Sequence, residues 1–316
     1  MEPIIHISKL SKRYNNHLAV NKLSLDVQRG EIFGFIGPNG AGKTSTIRIL
    51  ATLLAPTSGD AQIGGYSVTG FKREVRRQIG YMPDFFGTYS DLTVFEYLDF
   101  FAGCYEIAET RKVEIIPDLL ELVDLHQRSN DQVDKLSRGA KQRLSLARTL
   151  IHDPQVLILD EPASGLDPRA RVEIRELLRE LAHMGKTIFF SSHILSDVAE
   201  ICSRIAIIEA GELVVSGTPA ELSSHRIANR RVLLGTLSSV ERVRTLLSEV
   251  QDVVDITFRQ QDQAPYELEI EFAGDLDSLA AFLTQLIEQE IQIVHFSEIT
   301  DSLEDIYLRT TRGLVT

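Results

Sequence analysis

Short apolar runs separated by amphipathic segments dominate the first two thirds of the chain. The run EIFGFIG (31–37) ends in a Gly-rich turn, and apolar residues follow at helical spacing in TSTIRILATLL (44–54). Three further runs are typical of strands buried on both faces, namely VLILDEP (156–162), TIFFSSH (187–193) and RIAIIEA (204–210). Buried strands that alternate with helices predict an α/β fold with a mainly parallel sheet.

Between the predicted strands at 31–37 and 156–162 the pattern changes to helical periodicity. SDLTVFEYLDFFAGCY (90–105) and the region around IIPDLLELVDL (115–125) both read as amphipathic helices. We therefore expect a helical subdomain over about residues 88–155, inserted into the α/β domain.

The last third of the chain has a different rhythm, with segments in the order β-α-β-β-α-β. YELEIEF (266–272) alternates at a period of two residues, and DLDSLAAFLTQLIEQE (275–290) has helical spacing. This order is that of a small ferredoxin-like α+β unit. Because the segment at 216–230 contains Gly, Pro and several Ser, we expect a first domain at residues 1–220 and an accessory domain at 221–316.

Charge and composition narrow the classes of function. The 316 residues carry a net charge of −12, and residues 221–316 contain eight Arg, no Lys and 17 acidic residues. Such a chain lacks the basic surface of a nucleic-acid binder. No stretch approaches the ~18 apolar residues of a membrane span, and we expect a cytosolic protein that reaches a membrane only through a partner. Cys104 and Cys202 cannot form a disulfide framework, and we interpret both as small buried residues.

GPNGAGKT (37–44) matches the phosphate-binding pattern G-x-x-x-x-G-K-[ST] between a predicted strand and a predicted helix. Glycines let the backbone fold around phosphate, and the helix N-terminus adds positive potential. Lys43 can reach the β- and γ-phosphates, and the Thr44 hydroxyl can ligate Mg²⁺. The candidate binding residues of this loop are Gly37, Pro38, Asn39, Gly40, Ala41, Gly42, Lys43, Thr44 and Ser45.

Polar side chains also end two of the other predicted strands. Asp160 would hold Mg²⁺, and Glu161 would orient the attacking water and accept its proton. The alternative for this acidic pair is the N-cap of a following helix. His193 could contact the γ-phosphate and the water as a catalytic residue, or serve a structural purpose. Tyr14, ahead of the loop, could stack on adenine.

Six motifs occur in one order: Tyr14, GPNGAGKT, LSRGAKQR (136–143), VLILDEP, SGLD (164–167) and SSH (191–193). This order resembles the ATP-binding subunit of an ABC (ATP-binding-cassette) transporter over about residues 4–220. The decisive segment is LSRGAKQR just before a helix that leads to the Asp-Glu strand, since other P-loop proteins lack it.

The resemblance implies an ATPase that uses ATP and Mg²⁺ to drive a separate integral membrane permease, with the subunit attached to the cytoplasmic face through that permease. It also implies that Ser137 and Gly139 contact the γ-phosphate of ATP bound to the other subunit of a head-to-tail dimer. Asp167, in SGLD, matches the segment that crosses this interface.

Three residues depart from the family pattern. Asp84 stands where Gln is usual and could ligate Mg²⁺ itself, or cap a turn of its loop. Arg138 and Ala140 replace a usual Gly and a usual Gln in LSRGAKQR. These changes bear on the rate of turnover more than on the presence of activity.

Two further features remain open between alternatives. The tail SLEDIYLRTT (302–311) looks like the C-terminal extension of drug or polysaccharide exporters, or is a structural appendage that supports dimerisation. Phe85, Phe86 and Tyr89 could anchor a helix of the membrane subunit or pack in the core. The competing function is a soluble ABC-type ATPase acting on ribosomes or nucleic acid, against which stand the acidic charge and the single P-loop.

Overall fold

The computed structural model describes residues 2–84, 87, 91–224, 230–248, 250–260, 263–299 and 307, apart from the side chains at 196–197 and 223–224. The chain divides into two compact units, one of residues 1–222 together with 303–316 and one of residues 223–302. Tyr307 packs against the core of the first unit, although the sequence assigned all of 221–316 to the second domain. Within the described ranges, every helix is too short or too polar to span a bilayer.

The first unit carries strands and helices in alternation. Its strands are β1 (Ile5–Tyr14), β2 (His17–Val27), β3 (Ile32–Ile36), β4 (Ser58–Ile63), β5 (Tyr66–Ser67), β6 (Ile79–Met82), β7 (Val156–Leu159), β8 (Thr187–Ser192), β9 (Arg204–Glu209) and β10 (Glu212–Gly217). Its helices are α1 (Lys43–Leu50), α2 (Lys72–Gln78), α3 (Val94–Cys104), α4 (Glu109–Leu122), α5 (Arg138–Leu150), α6 (Pro168–His183), α7 (Leu195–Ile201) and α8 (Pro219–Ser224), the last of which reaches the boundary between the units.

The central sheet has the strand order β10-β9-β3-β8-β7-β6. All neighbours are parallel except β10, which pairs with β9 in the antiparallel sense. Every residue of β3, β7 and β8 is buried, because helices or the second sheet cover both faces. The predicted α/β fold with a mainly parallel sheet is confirmed.

A second sheet, of order β2-β1-β4-β5, is antiparallel and was not predicted. Lys9 and Lys22 adopt left-handed backbone angles, with φ of 46° and 50°. The pairing of β1 with β2 shifts register next to Lys9. Such bulges interrupt the period-two alternation by which strands are recognised in a sequence.

Helices α3, α4 and α5 pack against one another within the range 88–155, where a helical subdomain was expected. Thr93 begins α3 with a capping box, in which its hydroxyl accepts from the Glu96 N–H and the Glu96 carboxylate accepts from the Thr93 N–H. The helix therefore begins four residues later than the apolar pattern at 90–105 suggests. Cys104, at its end, is exposed, so the interpretation of this cysteine as buried is wrong, whereas Cys202 is buried.

The second unit follows the predicted order β-α-β-β-α-β. Its elements are β11 (Arg230–Thr236), α9 (Val240–Ser248), β12 (Val253–Gln260), β13 (Tyr266–Phe272), α10 (Leu276–Glu288) and β14 (Ile293–Glu298). The antiparallel sheet has the order β12-β13-β11-β14, so the first and third strands of the unit lie in the middle. Alternate residues of β13 pack against both helices, which gives the unit its own core. The ferredoxin-like topology is confirmed.

His152 gives the first unit a pH-dependent stability. Its Nε2 lies 2.9 Å from the Ile79 carbonyl oxygen, and its ring stacks on Tyr105 at 3.9 Å. Burial lowers the pKa of His152, while the Ile79 carbonyl and Asp153 act in the opposite direction. The folded state thus favours the neutral ring, and this stabilisation is lost as pH falls below the unfolded pKa of about 6.5.

We therefore expect the melting temperature of the parent protein to fall more between about pH 7.5 and about pH 5.5 than that of His152→Gln. The Gln amide can still donate to the Ile79 carbonyl but does not titrate. His183, which is exposed, provides the matched control His183→Gln. Parallel melting curves for the parent and His152→Gln across this range would contradict the assignment.

Candidate functional site

Three adjacent strands of the central sheet end beside each other at one edge. β3 lies next to β8, and β8 lies next to β7, all in parallel. The loop that begins at Gly37 follows β3, Asp160 follows β7, and His193 follows β8. Asp84 comes two residues after β6, the next strand in the sheet. The carboxyl edge of a parallel sheet is where open α/β folds bind ligands.

The Gly37–Thr44 loop wraps around the ammonium group of Lys43. Lys43 is only 6% exposed, and its Nζ donates hydrogen bonds to the carbonyl oxygens of Gly37 (2.6 Å) and Pro38 (3.3 Å). Gly42 has φ of 102°, and a Cβ there would lie 2.3 Å from the Ala19 carbonyl oxygen. Only glycine fits this position, and the loop therefore turns sharply into α1.

Asp160 lies at the bottom of the site and is 2% exposed. Its Oδ1 accepts hydrogen bonds from Thr44 Oγ1 (3.3 Å) and Ser191 Oγ (2.8 Å). Burial raises the pKa of Asp160, as do the nearby charges of Asp84 and Glu161, while the two hydroxyl groups act to lower it. A cation beside this buried carboxylate would stabilise its charged form.

Ser191 was not singled out from the sequence. Its Oγ accepts from the backbone N–H of Glu161 (3.0 Å) and donates to Asp160, so one hydroxyl orders two acidic residues. The only signal for it was its place in SSH, at the end of a buried strand.

Glu161 is held between two positively polarised groups. Its Oε1 lies 3.3 Å from Lys43 Nζ, and its Oε2 lies 2.7 Å from His193 Nδ1. Its φ of 52° places its backbone in the left-handed region, which costs a non-glycine residue on the order of 1 kcal/mol or more. The alternative of a helix N-cap pair is wrong, because α6 begins at Pro168 and is capped by Asp167.

Lys43, Thr44, Glu161 and His193 border a cleft of about 510 Å³, while Asp160 is buried behind Thr44. The residues that line it are Tyr14, His17, Ala19, Pro38, Asn39, Gly40, Gly42, Lys43, Thr44, Ser45, Asp84, Glu161, Ser164 and His193. Of the predicted loop residues, Ala41 instead packs in the core and Gly37 contributes its carbonyl to Lys43. His17, Ala19 and Ser164 were not expected. His17 enters the cleft because it pairs with Tyr14 across the β1–β2 turn.

Tyr14 is 43% exposed at the rim of this cleft. Its hydroxyl lies 3.3 Å from Ser45 Oγ, and Lys12 Nζ lies 5.2 Å from the centre of its ring. An exposed ring beside a phosphate-binding loop is suited to stacking on a planar base.

Ser137 and Gly139 do not belong to this cleft. They line a second one, of about 360 Å³, together with Arg138 and Asp167. Ser137 caps α5 by accepting from the Ala140 N–H (3.3 Å), and a Cβ on Gly139 would lie 3.0 Å from Ala170 Cβ. Within one chain the two groups of predicted residues thus occupy separate surfaces.

Known ABC transporter proteins resemble this chain along nearly its whole length. The family model described as "ABC transporter" matches residues 20–164. The "Uncharacterized ABC transporter ATP-binding protein YxlF" of Bacillus subtilis (strain 168) is 36% identical over 311 residues, covering 98% of this chain and 100% of the relative. The "Nod factor export ATP-binding protein I" of Ralstonia nicotianae is 35% identical over 310 residues, covering 98% and 94%.

A solved structure of a dimeric ATP-binding cassette in a post-hydrolysis state, bound to ADP and Pi, matches with a TM-score of 0.62. It is 24% identical in sequence and covers 68% of this chain and 98% of the other, and it supports the fold. The alternative of a soluble ATPase acting on ribosomes or nucleic acid is disfavoured, since relatives that match nearly end to end are transporter proteins. The chain therefore belongs to the ABC transporter family, as one of its ATP-binding and ATP-hydrolysing subunits.

Proposed function

We propose that this chain supplies the energy for an exporter by closing and reopening over ATP against a separate integral membrane permease. The observation that carries the proposal is the cleft in which the Gly37–Thr44 loop meets Glu161 and His193, with Asp160 buried in contact with Thr44. The outward direction is supported by the relative from Ralstonia nicotianae, which is named as an export protein.

The phosphate groups of ATP would bind to the backbone N–H groups of the loop and to Lys43. The residues present also fit Mg²⁺, because Thr44 and Asp160 offer oxygen atoms in contact with each other and Asp84 adds a second carboxylate near Asp160. Mg²⁺ is commonly held by one or two carboxylates plus substrate phosphates. When bound, the metal would neutralise charge on the phosphate oxygens. The base of ATP would stack on Tyr14.

Hydrolysis requires a group that accepts a proton from water. Glu161 fits because its carboxylate borders the cleft and is oriented by two contacts, from Lys43 and from His193. His193 is 46% exposed, and its Nδ1 lies 2.7 Å from Glu161 Oε2. In the imidazolium form both ring nitrogens donate, so Nδ1–H would bind Glu161 and Nε2–H would bind the γ-phosphate. We assign Glu161 as the general base and His193 as the residue that orients it and contacts the phosphate.

The second cleft supports a dimer of cassettes. Ser137 and Gly139 lie at the N-terminus of α5, where backbone N–H groups favour an anion, yet this end of the helix borders a different cleft from Lys43. In a head-to-tail pair, each copy would present these residues to the ATP bound by the other. In this arrangement of two chains over two ATP molecules, Asp167 would lie at the interface. The net charge of −12 argues against nucleic acid as a partner.

We place the complex at the cytoplasmic face of the membrane, where the permease would hold this subunit peripherally. The aromatic residues Phe85, Phe86 and Tyr89, considered above as the permease contact, lie outside the described residues, as does the tail at 302–311 apart from Tyr307. The acidic unit at 223–302 contains no Lys, so it is not suited to bind an anionic lipid surface itself.

A pull-down from detergent-solubilised cells of the native source tests this proposal. Tagged Glu161→Gln protein with ATP should retain a multi-span membrane protein in stoichiometric amount, read by mass spectrometry. Lys43→Ala protein, handled in the same way, controls for capture that does not depend on ATP. Recovery of ribosomal proteins or nucleic-acid enzymes without a membrane protein would overturn the transporter assignment and leave only the ATPase chemistry.

A further inference from the structure

Two side chains of α5 contact the turn that follows Glu161, residues 162–165. Gln142 Nε2 donates a hydrogen bond to the Pro162 carbonyl oxygen at 2.7 Å. Arg138 Nη2 donates to the Ser164 carbonyl oxygen at 3.0 Å. Arg138 and Gln142 are four residues apart, so they share one face of the helix. This face therefore binds the 162–165 turn at both ends.

Both contacts are specific to the residues that make them. Pro162 has no N–H, so its carbonyl oxygen is the backbone group through which this end of the turn can be hydrogen-bonded. Gln142 reaches it in a buried position, with 7% of its surface exposed. At the other end Gly165 has φ of 66°, and a Cβ there would lie 2.4 Å from Arg138 Cζ. The guanidinium group thus packs directly against a bare backbone.

The 162–165 turn is joined directly to the backbone of Glu161. The backbone of Glu161 is in the left-handed region, and its carbonyl oxygen accepts a hydrogen bond from the Ser164 N–H at 3.1 Å. This hydrogen bond closes the turn. A non-glycine residue stays in this conformation only where its surroundings hold it. Ser191 holds it from the side of the sheet, and α5 holds the turn from the other side.

We infer that Arg138 and Gln142 are positioning residues for ATP hydrolysis, which act through the 162–165 turn on the carboxylate of Glu161. Ser137 caps the same helix, so a phosphate contact at Ser137 is transmitted to Glu161 of the same chain through these two hydrogen bonds. Arg138, which replaces a usual Gly, thereby has a defined partner. The inference rests on the proposed role of Glu161 as general base.

The test compares Arg138→Ala and Gln142→Ala with Lys141→Ala, whose side chain lies on the same helix and donates to the Asp134 carbonyl instead. With ATP and Mg²⁺ as the probe, we expect both test variants to lose kcat by roughly tenfold to 100-fold, since a displacement of about 1 Å at the reacting groups has effects of this size. Affinity for ATP should stay within about twofold of the parent value. The control should retain the parent kcat.

A purely structural contribution gives a different result. If kcat falls only in proportion to the folded fraction, or together with ATP affinity, the positioning role is wrong, and a parental kcat in both variants also overturns it. Arg138 is exposed, so its variants are expected to fold even where Gln142→Ala does not. Arg138→Lys retains a donor for Ser164 and should recover part of the lost kcat.

The parallel variant Glu161→Gln separates this inference from the proposed function. If Glu161→Gln hydrolyses ATP at the parent rate, the assigned general base is wrong. If Glu161→Gln is inactive while Arg138→Ala and Gln142→Ala match the parent, only the positioning role fails.

Discussion

Glu161→Gln should hydrolyse ATP roughly 100- to 10,000-fold more slowly than the parent protein, which is the range for loss of a positioned general base. The amide has the same shape as the carboxylate but cannot accept a proton from water. The Glu161 carboxylate lies 3.3 Å from Lys43 Nζ and 2.7 Å from His193 Nδ1, and we expect the amide to keep this place beside the cleft. ATP should therefore still bind, and the closed dimer should accumulate.

Three measurements check this expectation. Phosphate release at saturating ATP and Mg²⁺ gives kcat, equilibrium binding gives the affinity for ATP, and light scattering after size exclusion gives the proportion of dimer. Glu121→Gln makes the same chemical change on the exposed surface of α4 and should behave as the parent. Hydrolysis by Glu161→Gln at the parent rate would show that another group accepts the proton.

The site could be predicted from the sequence to the extent that it depends on strand ends. Gly37, Asp160 and His193 each follow an apolar run of the kind that forms a buried parallel strand. In a parallel sheet such ends lie at one edge, and the pairings of β3, β8 and β7 place them side by side. The topology of the second unit was predictable from the order of its strands and helices, which are short and clearly bounded.

What the sequence did not reveal depends on backbone bends and long-range contacts. Lys9 and Lys22 break the alternation of β1 and β2, so this sheet has no clean pattern. Thr52, with φ of 62°, helps to end α1 near Leu50, although apolar spacing continues to Leu54. A left-handed residue of this kind depends on its neighbours in space as much as on its own side chain.

Ser191, Arg138 and Gln142 illustrate the second limitation. Their partners are 20 to 31 residues away in the chain, and each contact joins a side chain to a backbone group or to a carboxylate. No periodicity or motif encodes such a pairing. In LSRGAKQR (136–143), the sequence indicated a departure at Arg138, and the structure shows that this side chain contacts the Ser164 carbonyl.

Lys43→Ala should weaken ATP binding by about tenfold to 100-fold, because a hydrogen bond to a charged group is worth about 1.5–3 kcal/mol. Lys43 is buried, and its ammonium is held by the Gly37 and Pro38 carbonyls at the mouth of the loop, where the phosphates would lie. Its removal also leaves Glu161, 12% exposed, without a nearby cation. Equilibrium binding of ATP measures the effect.

Lys43→Ala and Glu161→Gln are expected to fail at different steps, and this difference tests the site as a whole. Loss of Lys43 removes binding, so the closed dimer should not form at ATP concentrations that saturate the parent protein, whereas loss of Glu161 removes turnover and leaves the dimer intact. Lys72→Ala, on the surface of α2, controls for the loss of one positive charge. Among the described residues that line the cleft, no other Lys or Arg is buried in this way. A Lys43→Ala protein that melts at the parent temperature but binds ATP with the parent affinity would therefore exclude the Gly37–Thr44 loop as the phosphate site.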